Sequence, residues 1–192
     1  SGVEDAEIRT EEMPKEALLT LFTSFKPSKE RDVVHRTIVR NWGTLDGVLP
    51  VLYATQVDDT LSKYACSHGW RVHPVPRTNR FQTPFLKDMY LHAEKHYSTP
   101  FYGYANGDLL FDEGLMSTLS HALRAMPDNK TFIVGRRTNY ILKNPSQELN
   151  YSSVKDLVDR QGDLALSMEL YYALAIDYFI ARQGGMDWNK FP

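Results

Sequence analysis

A chain of 192 residues, 42% hydrophobic and 24% charged, carries enough apolar mass for one domain with a single sizeable core. Its net charge of −2, with lysines and arginines scattered along the chain, lacks the concentrated basic face that a nucleic-acid partner requires, so none is expected. The apolar stretches 173–176 and 178–181 are far too short to span a bilayer, and the start SGVEDAEIRTEEMP is too acidic and polar for a signal peptide. The expectation is a soluble domain, cytoplasmic by default, or lumenal in the secretory pathway if a longer chain carries an anchor.

Cys66 is the one cysteine, which rules out an intrachain disulfide or a cysteine metal cluster; it reads as a small buried residue on a helix face. Two glycosylation triplets, Asn129-Lys-Thr131 and Asn150-Tyr-Ser152, are of a kind that chance supplies and do not establish secretion.

Residues 1–16, rich in Glu and without periodicity, read as a disordered leader ahead of a domain over 17–192. ALLTLFTSF (17–25) is apolar throughout and suits a strand covered on both faces. Ser28 is a good N-cap for a helix over 29–42, where Val34, Ile38 and Trp42 line one face and Gly43 and Gly47 bracket the exit. VLPVLYAT (48–55) is the second strand, and Pro50 places it near an edge or delays its start. A short helix from Asp58 or Asp59 to Gly69 follows, then a weaker strand in WRVHPVP (70–76). Thr83-Pro84 reads as a helix start, with Phe85, Met89 and Ala93 sharing a face beside Leu86, Tyr90 and Tyr97.

TPFYGYANGDLLF (99–111) is an apolar strand broken near its end by Asn106-Gly107-Asp108. A helix over 112–126 comes next, with Leu115, Leu119 and Ala122 inward, and then a strand in KTFIVGRR (130–137). Residues 140–165 are polar with one helix around 154–160, and ALAIDYFIAR (173–182) closes as a buried strand. Alternation of strand and helix argues for a single α/β domain with a mostly parallel central sheet flanked by helices. Ligands of such sheets bind beyond the carboxyl ends of the strands, which is where Asn106, Gly107 and Asp108 fall.

A carboxylate at that edge can bind a divalent metal, accept from a ligand hydroxyl, or cap the next helix; Asn106 could bond a sugar hydroxyl or a metal-bound water. Gly107 would admit close approach to the backbone. Arg136 and Arg137 also end a strand and match phosphate oxygens, though adjacent strand residues point to opposite faces. Asp177, among apolar neighbours, must be paired or functional, because desolvating an unpaired carboxylate is costly. Thr23 and Ser24, ending the first strand, could contact a nucleotide base or ribose, and Asp58-Asp59 belong to the same edge. His92 and His96 stand four apart but without an acidic third ligand nearby, so they read as a solvated helix face. No GxSxG, P-loop or GxGxxG pattern is present.

The order of these pieces resembles the GT-A family of nucleotide-diphospho-sugar glycosyltransferases, a Rossmann-like fold, over about residues 17–182. YANGDLLF resembles the strand ending in that family's Asp-x-Asp metal motif, with Asn106 where the first aspartate stands. LLTLFTSF resembles its opening nucleotide-binding strand, VGRRTN a later strand, and AIDYFI the acceptor-side strand. The resemblance implies a nucleotide-sugar donor, a Mn or Mg ion held chiefly by Asp108 and the donor diphosphate, and transfer of the sugar to an acceptor hydroxyl. It makes Asp177 the candidate catalytic base of an inverting enzyme, with Thr23, Ser24, Asp58, Asn106, Arg136 and Arg137 as substrate-binding candidates. After the last strand only Asp187 is acidic, where the family carries a catalytic carboxylate and a closing loop, so a domain cut short at its C-terminus is expected. Two alternatives stand beside this reading: a catalytically inactive binding or scaffold module, and an unrelated metal-dependent phosphotransferase.

Overall fold

The computed structural model describes residues 17–26, 28–126, 131–138, 176–188 and 190. The expectations for the leader, for the helix around 154–160 and for the Asn150 triplet lie outside the described residues. The elements run β1 (Leu19–Thr23), a 3-10 turn (Lys29–Arg31) leading into α1 (Asp32–Gly43), β2 (Val48–Ala54), α2 (Thr60–Ser67) and β3 (Arg71–Pro74). They continue with α3 (Leu86–His96), β4 (Phe101–Ala105), α4 (Glu113–Ala125), β5 (Phe132–Gly135) and β6 (Tyr178–Arg182). One sheet holds all six strands in the order β3-β2-β1-β4-β6-β5. Neighbours among β1 to β4 pair parallel, whereas β6 runs antiparallel to both β4 and β5. The mostly parallel α/β sheet is therefore as the alternation of elements requires.

Every residue of β1 and β2 is buried, because helices cover both faces of the sheet's centre. Leu19 and Leu21 point to a core with Ile38 and Trp42 of α1, Ala65 of α2 and Leu115 and Leu119 of α4. Phe22, Val51, Tyr53 and Tyr102 point the other way, onto Met89, Tyr90 and Ala93 of α3. Trp42 and Trp70 stack at 5.2 Å, and each indole N–H is satisfied by a buried carbonyl, of Leu109 and Val39 respectively. Truncating Trp42 to Ala should cost about 3–5 kcal/mol by the usual scale for buried aromatics.

Several local expectations are corrected. The reading of Pro50 is not among them: β2 lies next to the edge strand β3, which pairs with it only from Val51 onward, so the missing N–H falls before that ladder begins. Ser28 is extended and caps nothing through its side chain, since a 3-10 turn intervenes before α1. Pro84 is bridged to Thr78 and Phe85 is extended, so α3 begins at Leu86, and Thr83-Pro84 belongs to the preceding turn. Asp177 precedes β6 and does not interrupt it. Cys66 is exposed, because α2 turns Leu61, Ser62 and Ala65 inward instead.

Candidate functional site

The chain lays β2 and then β3 on one side of β1, and returns to lay β4 on the other. This reversal opens a crevice outside the carboxyl ends of β1 and β4. β1 delivers Thr23 there, and β4 delivers the turn that begins at Asn106, closed by the Leu109 N–H on the Asn106 carbonyl at 3.3 Å. The LLF that follows is held by other means than a strand. Asn41 donates to the Phe111 carbonyl at 2.9 Å and accepts from the Phe111 N–H at 2.8 Å, which buries Leu109 and Phe111 while Asp108 between them and β4 faces out.

Gly107 sits directly on Phe25. A Cβ there would stand 2.6 Å from the Phe25 ring and 3.5 Å from Thr23 Oγ1, so any side chain would wedge the turn away from β1. Thr23 itself is fully buried, and its hydroxyl has no hydrogen-bond partner among the described residues. A buried hydroxyl left unsatisfied costs about 1–3 kcal/mol. Asp108 is open, its side chain 43% exposed, with Arg31 Nη1 at 4.0 Å as a loose counter-charge. Its field reaches two neighbours: the Tyr104 hydroxyl is pushed up by burial and then by Asp108, and Asp108 is among the groups that oppose the lowering of His35. His35 stacks on Phe25 at 4.5 Å, and burial, followed by Arg31, holds its pKa below the usual 6.5.

A second polar corner lies where β4 ends beside the start of β6. Asp177 is 3% exposed, and its Oδ1 accepts from Asn106 Nδ2 at 3.2 Å and from Arg137 in a close ion pair. The Asn106 N–H donates to the Asp177 carbonyl, and the Asp177 N–H to the Gly135 carbonyl, each at 3.0 Å. Tyr104 donates to Asn106 Oδ1 at 3.3 Å. These bonds explain why residue 106 is an amide. An aspartate there would set a second carboxylate against Asp177, and like charges at that range cannot both ionise cheaply. Asp177 Oδ2 remains buried without a partner among the described residues.

Of the sequence-predicted residues, Thr23, Asn106, Asp108, Arg137 and Asp177 come together along this edge. Ser24 is half-buried beside Thr23, and Arg136 is exposed beside Arg137. Asp58 is exposed on the β2–α2 loop, and its neighbour Asp59 caps α2 by accepting from the Ser62 N–H at 2.6 Å. Asp59 also lines a recess with Phe25, Thr55 and Ser62, between the ends of β1 and β2. Sequence reasoning missed Phe25, Arg31 and His35. The available signal was topological: a helix that returns antiparallel to β1 starts next to where β1 stops.

Among the described residues no group of three or more His, Cys, Asp and Glu could hold a metal ion. One open carboxylate does fit a divalent ion shared with a diphosphate, since magnesium-type ions are commonly held by one or two carboxylates plus phosphate oxygens. His92 and His96 are not simply a solvated face. Their rings stack at 4.2 Å, and His92 Nδ1 lies 3.0 Å from the Tyr53 hydroxyl.

No family model matches the chain, and no curated protein does. Solved structures similar to it include glucosyl-3-phosphoglycerate synthase from Mycobacterium tuberculosis in complex with Mn2+, uridine-diphosphate and glucosyl-3-phosphoglycerate, at 13% identity and a TM-score of 0.43, covering 88% of this chain and 57% of that one. The same synthase with uridine-diphosphate stands at 11% and 0.45, with the same coverage. A 4-diphosphocytidyl-2C-methyl-D-erythritol synthase stands at 14% and 0.44, covering 73% of this chain and 71% of its own. The chain thus spans a little over half the length of the glucosyl-3-phosphoglycerate synthase.

Proposed function

We propose that the domain binds a nucleotide-diphospho-sugar at the β1–β4 crevice together with a divalent metal, as a GT-A-like glycosyltransferase, and transfers the sugar to an acceptor hydroxyl. The observation that carries this reading is the open corner. A buried Thr23 hydroxyl with no partner among the described residues and an exposed Asp108 carboxylate flank a glycine turn at the switch point of a mostly parallel sheet. In this reading Thr23 and Ser24 meet the nucleoside, with Asp58 at the neighbouring recess. Asp108 holds the metal against the diphosphate, and Arg31, already within 4.0 Å of Asp108, supplies positive charge beside it. The ion, Mn or Mg, would act as a Lewis acid toward the departing nucleoside diphosphate. Arg136 is exposed and able to reach phosphate oxygens, while Asn106 and Asp177 position Arg137.

A specific observation favours a second reading, a binding module without turnover. Asp177, the candidate base, spends one oxygen on Arg137 and Asn106 and has the other buried, so it must lose partners before it can take a proton from an acceptor.

Melting with UDP or GDP, with and without Mn, tests both. A ligand at a hundredfold excess over Kd raises apparent stability by about 2.7 kcal/mol. No shift with any nucleoside diphosphate overturns the donor-binding reading, and a shift without sugar turnover selects the binding module. Asp108→Ala should abolish the Mn-dependent part of the shift while circular dichroism and the ligand-free melting temperature stay unchanged. Global unfolding of that variant would make Asp108 structural instead.

A further inference from the structure

The turn between β3 and α3 is tightly built. Asn79 Oδ1 accepts from the N–H groups of Phe81 at 2.8 Å and Thr83 at 3.0 Å, while its own N–H donates to the Thr83 carbonyl at 2.9 Å. The Gln82 N–H returns to the Asn79 carbonyl at 3.0 Å, and the Phe85 N–H to that of Arg77 at 3.0 Å. Gln82 takes a φ of 64°, a left-handed conformation unfavourable for a residue with a Cβ. The product of this bonding is a fixed apex carrying Phe81, at 71% the most exposed large apolar side chain among the described residues. The Arg80 guanidinium lies over its ring at 4.6 Å, and that of Arg77 over Phe85 at 4.4 Å.

The charge around this apex is one-sided. From the turn into the first turn of α3, residues 77–88 hold Arg77, Arg80 and Lys87 against only Asp88, in a chain where acids outnumber bases by 24 to 22. Asp88 is bonded to Arg77 at 2.8 Å, and no carboxylate among the described residues pairs with Arg80. An apex that projects an aromatic ring with a guanidinium against it suits a surface that yields, where the ring enters the headgroup–acyl boundary and the cation meets lipid phosphate.

The geometry points to the Asn79–Thr83 turn as a peripheral anchor for an anionic lipid surface, with Phe81 inserted and Arg80 at the phosphate level. β3 is parallel to β1, β2 and β4, so the segment leaving it stands on the same edge of the sheet as the candidate crevice. Docking through this apex turns that edge toward the bilayer, and it requires neither nucleotide nor metal.

Sedimentation of the 192-residue chain with phosphatidylcholine vesicles, and with phosphatidylcholine mixed with phosphatidylglycerol, decides it. The chain should partition onto the mixed vesicles, not the neutral ones, and salt should weaken the binding. Arg80→Ala should lower the partition coefficient about fivefold and Phe81→Ala about tenfold, with unchanged melting temperatures. No partition, equal partition onto neutral vesicles, or native-like partition of both variants overturns the anchor. Binding of a polyglutamate peptide that both variants abolish, without vesicle binding, overturns it in favour of an acidic protein partner.

Discussion

Two polar corners stand at one edge of this sheet, a strand apart, and are built on opposite terms. At the β4–β6 corner, Asn106 and Arg137 share Asp177 Oδ1, only its Oδ2 has no partner among the described residues, and backbone N–H groups tie the turn after β4 to β6 and β6 to β5. At the β1–β4 corner, among the described residues, the buried Thr23 hydroxyl has no partner and Asp108 has only a loose counter-charge at 4.0 Å. Both corners place polar groups where apolar strands end, but only the first uses them to hold the fold together. An unsatisfied group is a standing cost to stability, which under the proposed function a ligand at the β1–β4 corner would relieve.

The largest way to break this comparison is Asp177→Ala. It removes the acceptor that Arg137 and Asn106 share, and because the Arg137 side chain is 29% exposed, water recovers part of the loss. The expected destabilisation is about 3 kcal/mol, at the low end for breaking a buried pair, read from urea or thermal unfolding. A loss under about 1 kcal/mol would show that the closed corner is not structural.

Thr23→Val sharpens the other side with the opposite sign. Removing an unbonded hydroxyl at nearly constant shape should leave the ligand-free stability unchanged or raise it by up to about 1 kcal/mol. The same change should weaken nucleotide binding severalfold, measured by melting shifts. A destabilised variant would mean that the hydroxyl is already bonded, and the contrast between the corners would collapse.

The smallest effect belongs to His35, stacked on Phe25 beneath the open corner. Burial, the largest cause, and then Arg31 hold its folded pKa below the 6.5 of an unconstrained histidine. The unfolded chain therefore binds a proton first as pH falls through 6.5, and stability is lost progressively from there down to the folded pKa. Above 6.5 the contribution is fully present. Urea midpoints taken above and below this window should differ in that direction, and His35→Leu should flatten the slope. An unchanged slope would assign the loss to other groups.

Much of the architecture was legible in the chain's patterning. Continuous apolar runs in β1 and β2 announce strands covered on both faces, and the Val34-Ile38-Trp42 spacing announces the buried stripe of α1. Local chemistry was less reliable. Thr83-Pro84 has the composition of a helix start, but bridging to Thr78 recruits it into a turn, a competition that only the folded chain resolves. β4 ends at Ala105, where the apolar pattern placed the end of the strand, but the burial of Leu109 and Phe111 beyond it is explained only by the fold, in which Asn41 and Trp42 clamp that segment.

By itself, the sequence determined the alternation of elements, the two-sided burial of the sheet's centre and the arrival of Asn106-Gly107-Asp108 at the carboxyl edge of its parallel strands. These rest on periodicity and on strand order, both of which are local. Which of those polar residues serve the fold and which stay open was decided by tertiary structure alone. Asn106 and Asp177 are 71 positions apart, and Gly107 meets Phe25 across the β1–β4 crevice. Hydrogen-bond satisfaction is a property of such long-range pairs, and no spacing along the chain encodes it.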